Sequence, residues 1–168
     1  FFNAREYFLK AKAKKELAYT AFCLGRQQYL RGNYKVAAGN LNRAMRESRL
    51  LKIPNLESDA LEYLGLLYHV MPDTDQKSIA HFKRSYQIKS TLKDRKGMLR
   101  MLQKLGDVYY QQKYFDSALQ CIQRSIGMAD ALGLDHDAHI SRLDKAGTLI
   151  RMNKMTEEIG RASCRERV

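Results

Sequence analysis

A short pattern built around glycine recurs along this chain at a nearly constant spacing. Leu-Gly followed closely by Tyr occurs in YLGLLYHV (63–70) and KLGDVYYQ (104–111), while CLGRQQYL (23–30) and KAGTLIRMN (145–153) are weaker versions. Gly25, Gly65, Gly106 and Gly147 follow one another at intervals that differ by no more than one position. This regularity predicts an array of similar units, because one helix pair cannot bury its apolar face alone and stacked copies must repeat the same contacts.

A second block of residues follows each of the first three glycines. It places a small, a large and a small residue at steps of four and three, which is the spacing of one helical face. Turn signals such as RGNY (31–34) and MPDTD (71–75) separate the two blocks, and no stretch alternates as a strand would. Each unit is therefore predicted to be helix, turn, helix, in an all-α fold. The second-block residues are Ala37, Leu41 and Ala44, then Ser78, Phe82 and Ser85, and finally Ala118, Ile122 and Ser125.

Together the two blocks resemble the tetratricopeptide repeat, whose units are antiparallel helix pairs that stack into a superhelix. The similarity extends over about residues 17–156. The chain differs from the family in lacking Trp at the first-helix position, which holds Ala21, Leu61 and Leu102, and in lacking Pro at the end of the second helix. Its period also exceeds the usual length of about 34 residues. The resemblance therefore implies an α-α superhelix of the solenoid type with helices longer by about one turn, or 5 Å.

The period also predicts how the chain is organised. Segment 1–16 is predicted to be a helix that ends a preceding repeat, and segment 140–158 to be the first helix of a fourth repeat. Glycines and small residues are predicted to have structural roles, since they allow two helices to approach closely. Complete repeats are predicted at 17–57, 58–98 and 99–139, and the structural residues are Gly25, Gly65, Gly106, Gly147, Ala37, Ala44 and Ala118.

The end of the chain, EIGRASCRERV (158–168), breaks the repeat pattern. It places Gly160 and three arginines where a second helix should bury apolar residues. These letters resemble the translation of a common sequencing adaptor. Residues 159–168 are therefore predicted to be a non-native tail, and the functional interpretation excludes them. Because the chain also begins without Met, we expect it to be a fragment of a longer array.

Composition narrows the classes of function. Lys and Arg number 30 against 18 Asp and Glu, and the resulting charge of +12 favours acidic partners. The sequence has no apolar run of the length that crosses a membrane and no signal-peptide pattern. Three cysteines without a CxxC pair predict a reducing, cytoplasmic setting. Cys23 and Cys121 are predicted to be buried, unreactive thiols.

The sequence contains no recognisable catalytic motif. A glycine-rich phosphate loop and a serine nucleophile elbow are both absent, and the carboxylates are dispersed. His136 and His139 in HDAH lie three residues apart, but no further ligands follow at a useful spacing. We therefore predict no enzymatic activity, no metal and no cofactor.

The resemblance also implies where a partner binds, because in the tetratricopeptide repeat the first helix of each unit lines a concave groove. Offsets from the signature glycines give nine groove residues, and their aromatic and basic side chains are typical of interface anchors. The predicted function is a protein-interaction scaffold or adaptor that takes a protein or peptide of acidic character. The predicted groove residues are Tyr19, Phe22, Arg26, Tyr63, His69, Arg100, Lys104, Tyr110 and Arg151.

Two other functions remain open from the sequence. The basic stretch 83–104 is either the solvated face of two helices or a patch for an acidic peptide, an anionic lipid or RNA. A helical-repeat RNA binder ranks second, because the basic clusters have no interleaved aromatic residues on which bases could stack. The third hypothesis is a regulatory repeat region of a larger enzyme.

Overall fold

The computed structural model describes the backbone of residues 2–165 and the side chains of residues 10–156. This part of the chain forms seven helices and no strand, and 87% of the chain is helical. Successive helices pack against their neighbours, so the predicted class, an all-α helical repeat of the solenoid type, is confirmed. The helices are α1 (Phe2–Leu30), α2 (Tyr34–Leu50), α3 (Pro54–Val70), α4 (Asp75–Thr91), α5 (Arg95–Gln111), α6 (Phe115–Ala131) and α7 (Asp135–Arg165).

The five central helices have one common length. Each of α2 to α6 has 17 residues, which corresponds to about 25 Å at 1.5 Å per residue. The first helices α3, α5 and α7 begin at Pro54, Arg95 and Asp135, so the second interval is one residue shorter than the first. Short turns join the helices and make neighbours antiparallel. The period seen in the sequence is therefore the sum of two equal helices and two short turns.

Every turn between helices contains one residue in the left-handed region. In five of the six turns, the backbone N–H of the residue after the left-handed one donates a hydrogen bond to the carbonyl oxygen five residues back. Examples are Ile53 to Ser48 at 2.8 Å and Tyr114 to Tyr109 at 2.9 Å. Only two of the six positions hold glycine, so a turn such as the one at Lys113 carries no glycine signal in the sequence. The left-handed residues are Gly32, Lys52, Asp73, Lys93, Lys113 and Gly133.

The chain divides into two compact units, residues 1–101 and 102–168. In the N-terminal unit the paired helices meet at glycine. A Cβ atom on Gly25 would lie 2.7 Å from Leu41 Cγ, and one on Gly65 would lie 2.6 Å from Phe82 Cε1. Leu41 and Phe82 are fully buried. Any larger residue at these glycines would therefore have to displace a close-packed side chain.

The small residues of the second helices have polar partners as well as packing roles. Ser78 Oγ donates a hydrogen bond to the Gly65 carbonyl at 2.8 Å, and Ser85 Oγ donates to the Ser58 carbonyl at 2.9 Å. Both serines are buried, so these bonds remove the cost of burying a hydroxyl. Serine thus replaces alanine in α4 without leaving a polar atom unsatisfied.

The C-terminal unit repeats this construction with a looser fit. A Cβ atom on Gly106 would lie 3.2 Å from Ile122 Cγ1. Ile122 packs with Ala118 and Ile126 in a buried cluster. A hydrogen bond of 3.0 Å between the buried hydroxyls of Ser125 and Ser141 joins α6 to α7.

The helix limits differ from the limits predicted for the repeats. The first helices begin at Pro54, Arg95 and Asp135, four or five residues before 58, 99 and 140. Residues 2–16 of the predicted segment 1–16 are helical but do not form a separate element, because α1 continues unbroken from Phe2 to Leu30. Helix α7 likewise continues through residue 158 to Arg165. The side chains of residues 157–168 and the backbone of 166–168 lie outside the described residues, so the adaptor origin of the tail stays a prediction.

Candidate functional site

Three of the predicted groove residues come together on α1 and α3 of the N-terminal unit. The Tyr63 ring lies edge-on to Phe22 with centroids 5.7 Å apart, and to Tyr29 with centroids 5.9 Å apart. The guanidinium carbon of Arg26 lies 5.9 Å from the centroid of the same ring. Phe22, Arg26 and Tyr29 lie on one face of α1 because they are four and three residues apart. We call Phe22, Arg26, Tyr29 and Tyr63 the Tyr63 cluster.

The electrostatics of the Tyr63 cluster favour hydrogen-bond donors over negative charge. Burial raises the pKa of the Tyr29 hydroxyl, and the neighbouring Tyr34 and Tyr63 raise it further. The hydroxyl therefore stays protonated and can donate. Arg26 adds an exposed cation that rests on the Tyr63 face. A half-buried aromatic surface with a cation and phenolic donors is suited to a partner that supplies carboxylate or carbonyl oxygens.

The basic stretch 83–104 does not form a continuous cationic patch. Lys89 is buried with its side chain 3% exposed, and its Nζ lies 3.1 Å from Asp59 Oδ1 and 3.7 Å from both Glu62 Oε2 and Asp94 Oδ2. Arg100 Nη2 lies 3.5 Å from Glu62 Oε2. Neither sequence-based interpretation fits Lys89, which is neither solvated nor available to a ligand. Two of its three acids come from α3, outside the basic stretch, so the local charge count missed them.

Lys104, Tyr110 and Arg151 belong to the C-terminal unit. Lys104 Nζ lies 3.8 Å from Asp107 Oδ2. The guanidinium carbon of Arg151 on α7 lies 6.0 Å from the centroid of the Tyr110 ring on α5. Burial raises the pKa of the Asp144 carboxyl, and Lys104 partly opposes that rise. The structure therefore pairs two of the predicted groove residues and places the third beside carboxylates.

Two adjoining clefts open between α5 and α7 in this unit. The larger, of about 400 Å³, contains Lys113, Arg151 and Lys154, together with Tyr110 and Phe115. The smaller, of about 240 Å³, contains the carboxylates of Asp107 and Asp144 beside Gly106 and Ile122. Tyr110 and Gly147 line both clefts. One end of this surface is therefore basic and the other acidic.

The structure corrects the packing role predicted for Gly147. A Cβ atom on Gly147 would meet nothing within 4 Å. The interval from the start of α5 to the start of α7 is one residue shorter than the interval from Gly106 to Gly147. Ala146 therefore occupies the helix position equivalent to Gly106, and Gly147 is turned one residue away. The glycine pattern keeps its spacing in the sequence, but Gly147 stands one position further into α7 than Gly106 does in α5.

The remaining predicted groove residues take no part in these clusters. Tyr19 is an exposed residue of α1. His69 Nδ1 lies 3.4 Å from Asp75 Oδ1 at the turn between α3 and α4. No sequence signal indicated a further stack, in which the His81 and Tyr68 rings lie 5.3 Å apart at 8° and Lys77 Nζ lies 5.6 Å from the Tyr68 centroid.

The described cysteines and histidines show no metal-binding arrangement. Among the described residues, no three His, Cys, Asp or Glu side chains lie close enough to share a metal ion. His139 Nδ1 lies 2.7 Å from the Asp135 carbonyl oxygen of the preceding turn. The prediction of a buried Cys23 is wrong, because that thiol is exposed, and Cys121 is half-buried. Cys23 follows Phe22 directly along α1, but its side chain is exposed to solvent.

No family model matches the sequence, and no curated protein matches it at a significant level. None of the helices within the described residues is long and apolar enough to cross a bilayer.

Proposed function

We propose that this chain is a protein-interaction scaffold of the tetratricopeptide-repeat type, working in the cytoplasm and without catalysis of its own. It binds an acidic segment of a partner on the surface shared by α1 and α3. The observation that carries this proposal is the Tyr63 cluster, because an exposed arginine resting on half-buried aromatic rings is a typical anchor for a partner's carboxylate and apolar side chains. The excess of basic residues gives an acidic partner a favourable long-range field.

The proposal is tested with fluorescently labelled acidic peptides of about 12 residues, selected from an array and measured by anisotropy. The Arg26→Glu and Tyr63→Ala variants should each weaken binding about tenfold or more, since hot-spot anchors contribute about 2 kcal/mol or more. Arg46→Glu is the matched control, because it makes the same charge change on an exposed residue of α2. Equal losses in Arg26→Glu and Arg46→Glu would show binding through net charge alone.

Arg100 is a poor position for such a test. A glutamate there would stand beside Glu62 and lose the existing ion pair, so any loss of binding would be mixed with a loss of stability. Lys104 likewise stands beside Asp107. Arg26 has the advantage that it rests on the Tyr63 ring, so the substitution breaks no ion pair among the described side chains.

RNA binding is separated from peptide binding by salt. Affinity for a single-stranded oligonucleotide should fall with log salt at a slope of about −0.7 per phosphate contact. An oligonucleotide that binds tightly and displaces every peptide would replace the scaffold proposal with an RNA-binding one.

A further inference from the structure

A further cleft lies in the N-terminal unit, between α1 and the turn that joins α2 to α3. Its volume of about 520 Å³ falls within the range of small-molecule sites, roughly 300 to 1,000 Å³. Its two sides come from segments that are far apart in the sequence. One side contains Lys12 and Lys15 of α1, and the other contains residues 51–54, with the side chain of Lys52 among them. We call this the lysine cleft.

Positive charge dominates the lysine cleft. Lys12, Lys15 and Lys52 are all exposed, and none of the described residues that line the cleft is acidic. The acids close to it along the chain are already engaged. Glu16 lies 4.0 Å from Lys12 in a solvent-exposed pair, which is weak, and Glu57 is bound to Arg49 on the neighbouring helix at 2.9 Å. Three ammonium groups therefore share little negative charge.

The turn between α4 and α5 shows how the same chain neutralises an equivalent position. Lys52 and Lys93 occupy the same left-handed place in their turns, with φ of 53° and 58°. Lys93 is followed by Asp94, whose carboxylate accepts the Gly97 N–H at 2.9 Å. Lys52 is followed instead by Ile53. The turn at the lysine cleft therefore has an apolar side chain where the next turn has a carboxylate.

Neighbouring units of an array would not cover the lysine cleft. Helix α1 packs on α2 and α3, so a preceding unit would meet the opposite side of α1. Lys12 and Lys52 stand one repeat period apart, which means that the cleft already joins equivalent positions of two successive units. Units stack through helix faces, whereas this cleft opens beside a turn.

The lining of the lysine cleft defines the chemistry of a ligand. Several lysines favour a group with more than one negative charge, and the lysine ammonium binds phosphate as a compact point charge. Leu51, Ile53 and Pro54 add an apolar wall, against which a carbon skeleton can pack. We propose that the lysine cleft binds a ligand with two or more phosphate groups on a compact carbon skeleton, either a free polyol phosphate or the headgroup of a phosphorylated lipid. This site is separate from the Tyr63 cluster and does not rest on the function proposed there.

The first experiment measures binding of inositol hexakisphosphate to the full chain by isothermal titration calorimetry. Salt of about 0.15 M screens attraction beyond about 8 Å. We expect a dissociation constant of about 10 to 100 µM, since each charge-assisted hydrogen bond contributes modestly. Inorganic phosphate should bind about tenfold more weakly or less, because it cannot reach all three lysines. Equal affinity for the two probes would overturn the proposal.

Paired lysine variants separate this site from net charge. Lys15→Gln combined with Lys52→Gln should weaken binding of inositol hexakisphosphate about tenfold or more. Lys93→Gln combined with Lys96→Gln is the matched control, because it removes the same charge from exposed residues at the equivalent turn. It should change the affinity by less than about threefold. Equal losses in the two double variants would show binding through net charge alone and would overturn the proposal.

A second pair of variants tests the missing carboxylate. Ile53→Asp gives this turn the acid that follows Lys93 in the next one and should weaken binding about tenfold or more. Ile53→Asn has nearly the same shape without the charge and should bind about threefold or more tightly than Ile53→Asp. Ile53 is the N-cap of α3, a position that suits both replacements, so their melting temperatures should be similar. Equal affinity of the two variants would contradict the proposed site.

The source of the ligand is tested with vesicles. Phosphatidylcholine vesicles with about 5% phosphatidylinositol bisphosphate are compared by co-sedimentation with phosphatidylserine vesicles of equal charge. Preference for the first would assign the site to a lipid headgroup, and binding of the soluble probe alone would assign it to a free polyol phosphate. An oligonucleotide that displaces the probe and loses affinity equally in both lysine double variants would assign these lysines to nucleic acid and overturn the proposal. Arg26→Glu should leave probe binding unchanged, so failure at the Tyr63 cluster and failure at the lysine cleft are independent results.

Discussion

Gly65 in α3 and Gly147 in α7 stand in the same short sequence pattern, yet their surroundings are opposite. Phe82 fills the space beside Gly65, where an added Cβ atom would lie 2.6 Å from the ring, whereas the space beside Gly147 is open. The leucine four residues earlier is buried at position 61 and mostly exposed at position 143. The comparison teaches that the pattern specifies a helix face able to receive a large side chain, and the neighbouring structure decides whether that face is already occupied.

The largest expected effect comes from replacing each of these two glycines by leucine in turn. Gly65→Leu should destabilise the fold by about 3 kcal/mol, because a close-packed ring must move. Gly147→Leu should leave stability unchanged or raise it by about 0.5 to 1 kcal/mol, since leucine favours a helix more than glycine does. Urea unfolding monitored by circular dichroism measures both. Similar losses of stability in the two variants would mean that a side chain already fills the space beside Gly147.

Removing a lysine should likewise cost more stability at the buried Lys89 than at the exposed Lys154. Lys89→Met should cost about 2 to 3 kcal/mol, because three carboxylates lose their shared cation and that side chain is buried. Lys154→Met, on the open cleft, should change stability by less than about 0.5 kcal/mol. Thermal unfolding of both variants gives the contrast. A mild effect of Lys89→Met would show that water, and not Lys89, balances Asp59, Glu62 and Asp94.

The turns should behave alike in both regions, which makes them an internal reference. Lys52 and Lys113 have φ of 53° and 61°, a conformation that favours glycine. Lys52→Gly and Lys113→Gly should each stabilise the fold by about 0.5 to 1 kcal/mol. Alanine at the same positions is the control, since it keeps the unfavourable conformation and should give no gain. If alanine stabilises as much as glycine, the gain has come from removing the lysine charge.

The smallest expected effect is on the pH dependence of stability, and it concerns only the N-terminal unit, which contains His81. Burial lowers the pKa of His81 below 6.5, and Lys77 lowers it further. The unfolded chain then binds the proton more readily, so the stability due to His81 is present above pH 6.5 and is lost as pH falls through 6.5 towards the lower folded value. His81→Gln should flatten this part of the stability profile, measured by urea unfolding from about pH 7.5 to 5. His136→Gln, at an exposed position, is the control and should not change the slope.

Much of the architecture could be predicted from spacing alone. The glycine pattern and the small-large-small blocks predicted helix pairs, and the all-α class is confirmed. Offsets from the glycines also selected Phe22, Arg26 and Tyr63, which the structure brings into one cluster. The inference of helix pairs succeeds because it depends on residues three, four or seven apart on one helix, where geometry follows directly from sequence separation. The cluster joins α1 and α3, and its residues were selected through the resemblance, which places the first helices of neighbouring units side by side.

The sequence by itself determined the helices, their common face and the interval at which that face returns, because backbone hydrogen bonds and side-chain periodicity are local. Only the tertiary structure decided which faces are covered and which charges are matched. Asp59 and Glu62 on α3 reach across to Lys89 near the far end of α4, and the packing of α7 leaves the space beside Gly147 open. Contacts between distant segments depend on how whole helices pack, and a rotation of one residue, about 100°, is enough to change a packed position into an exposed one.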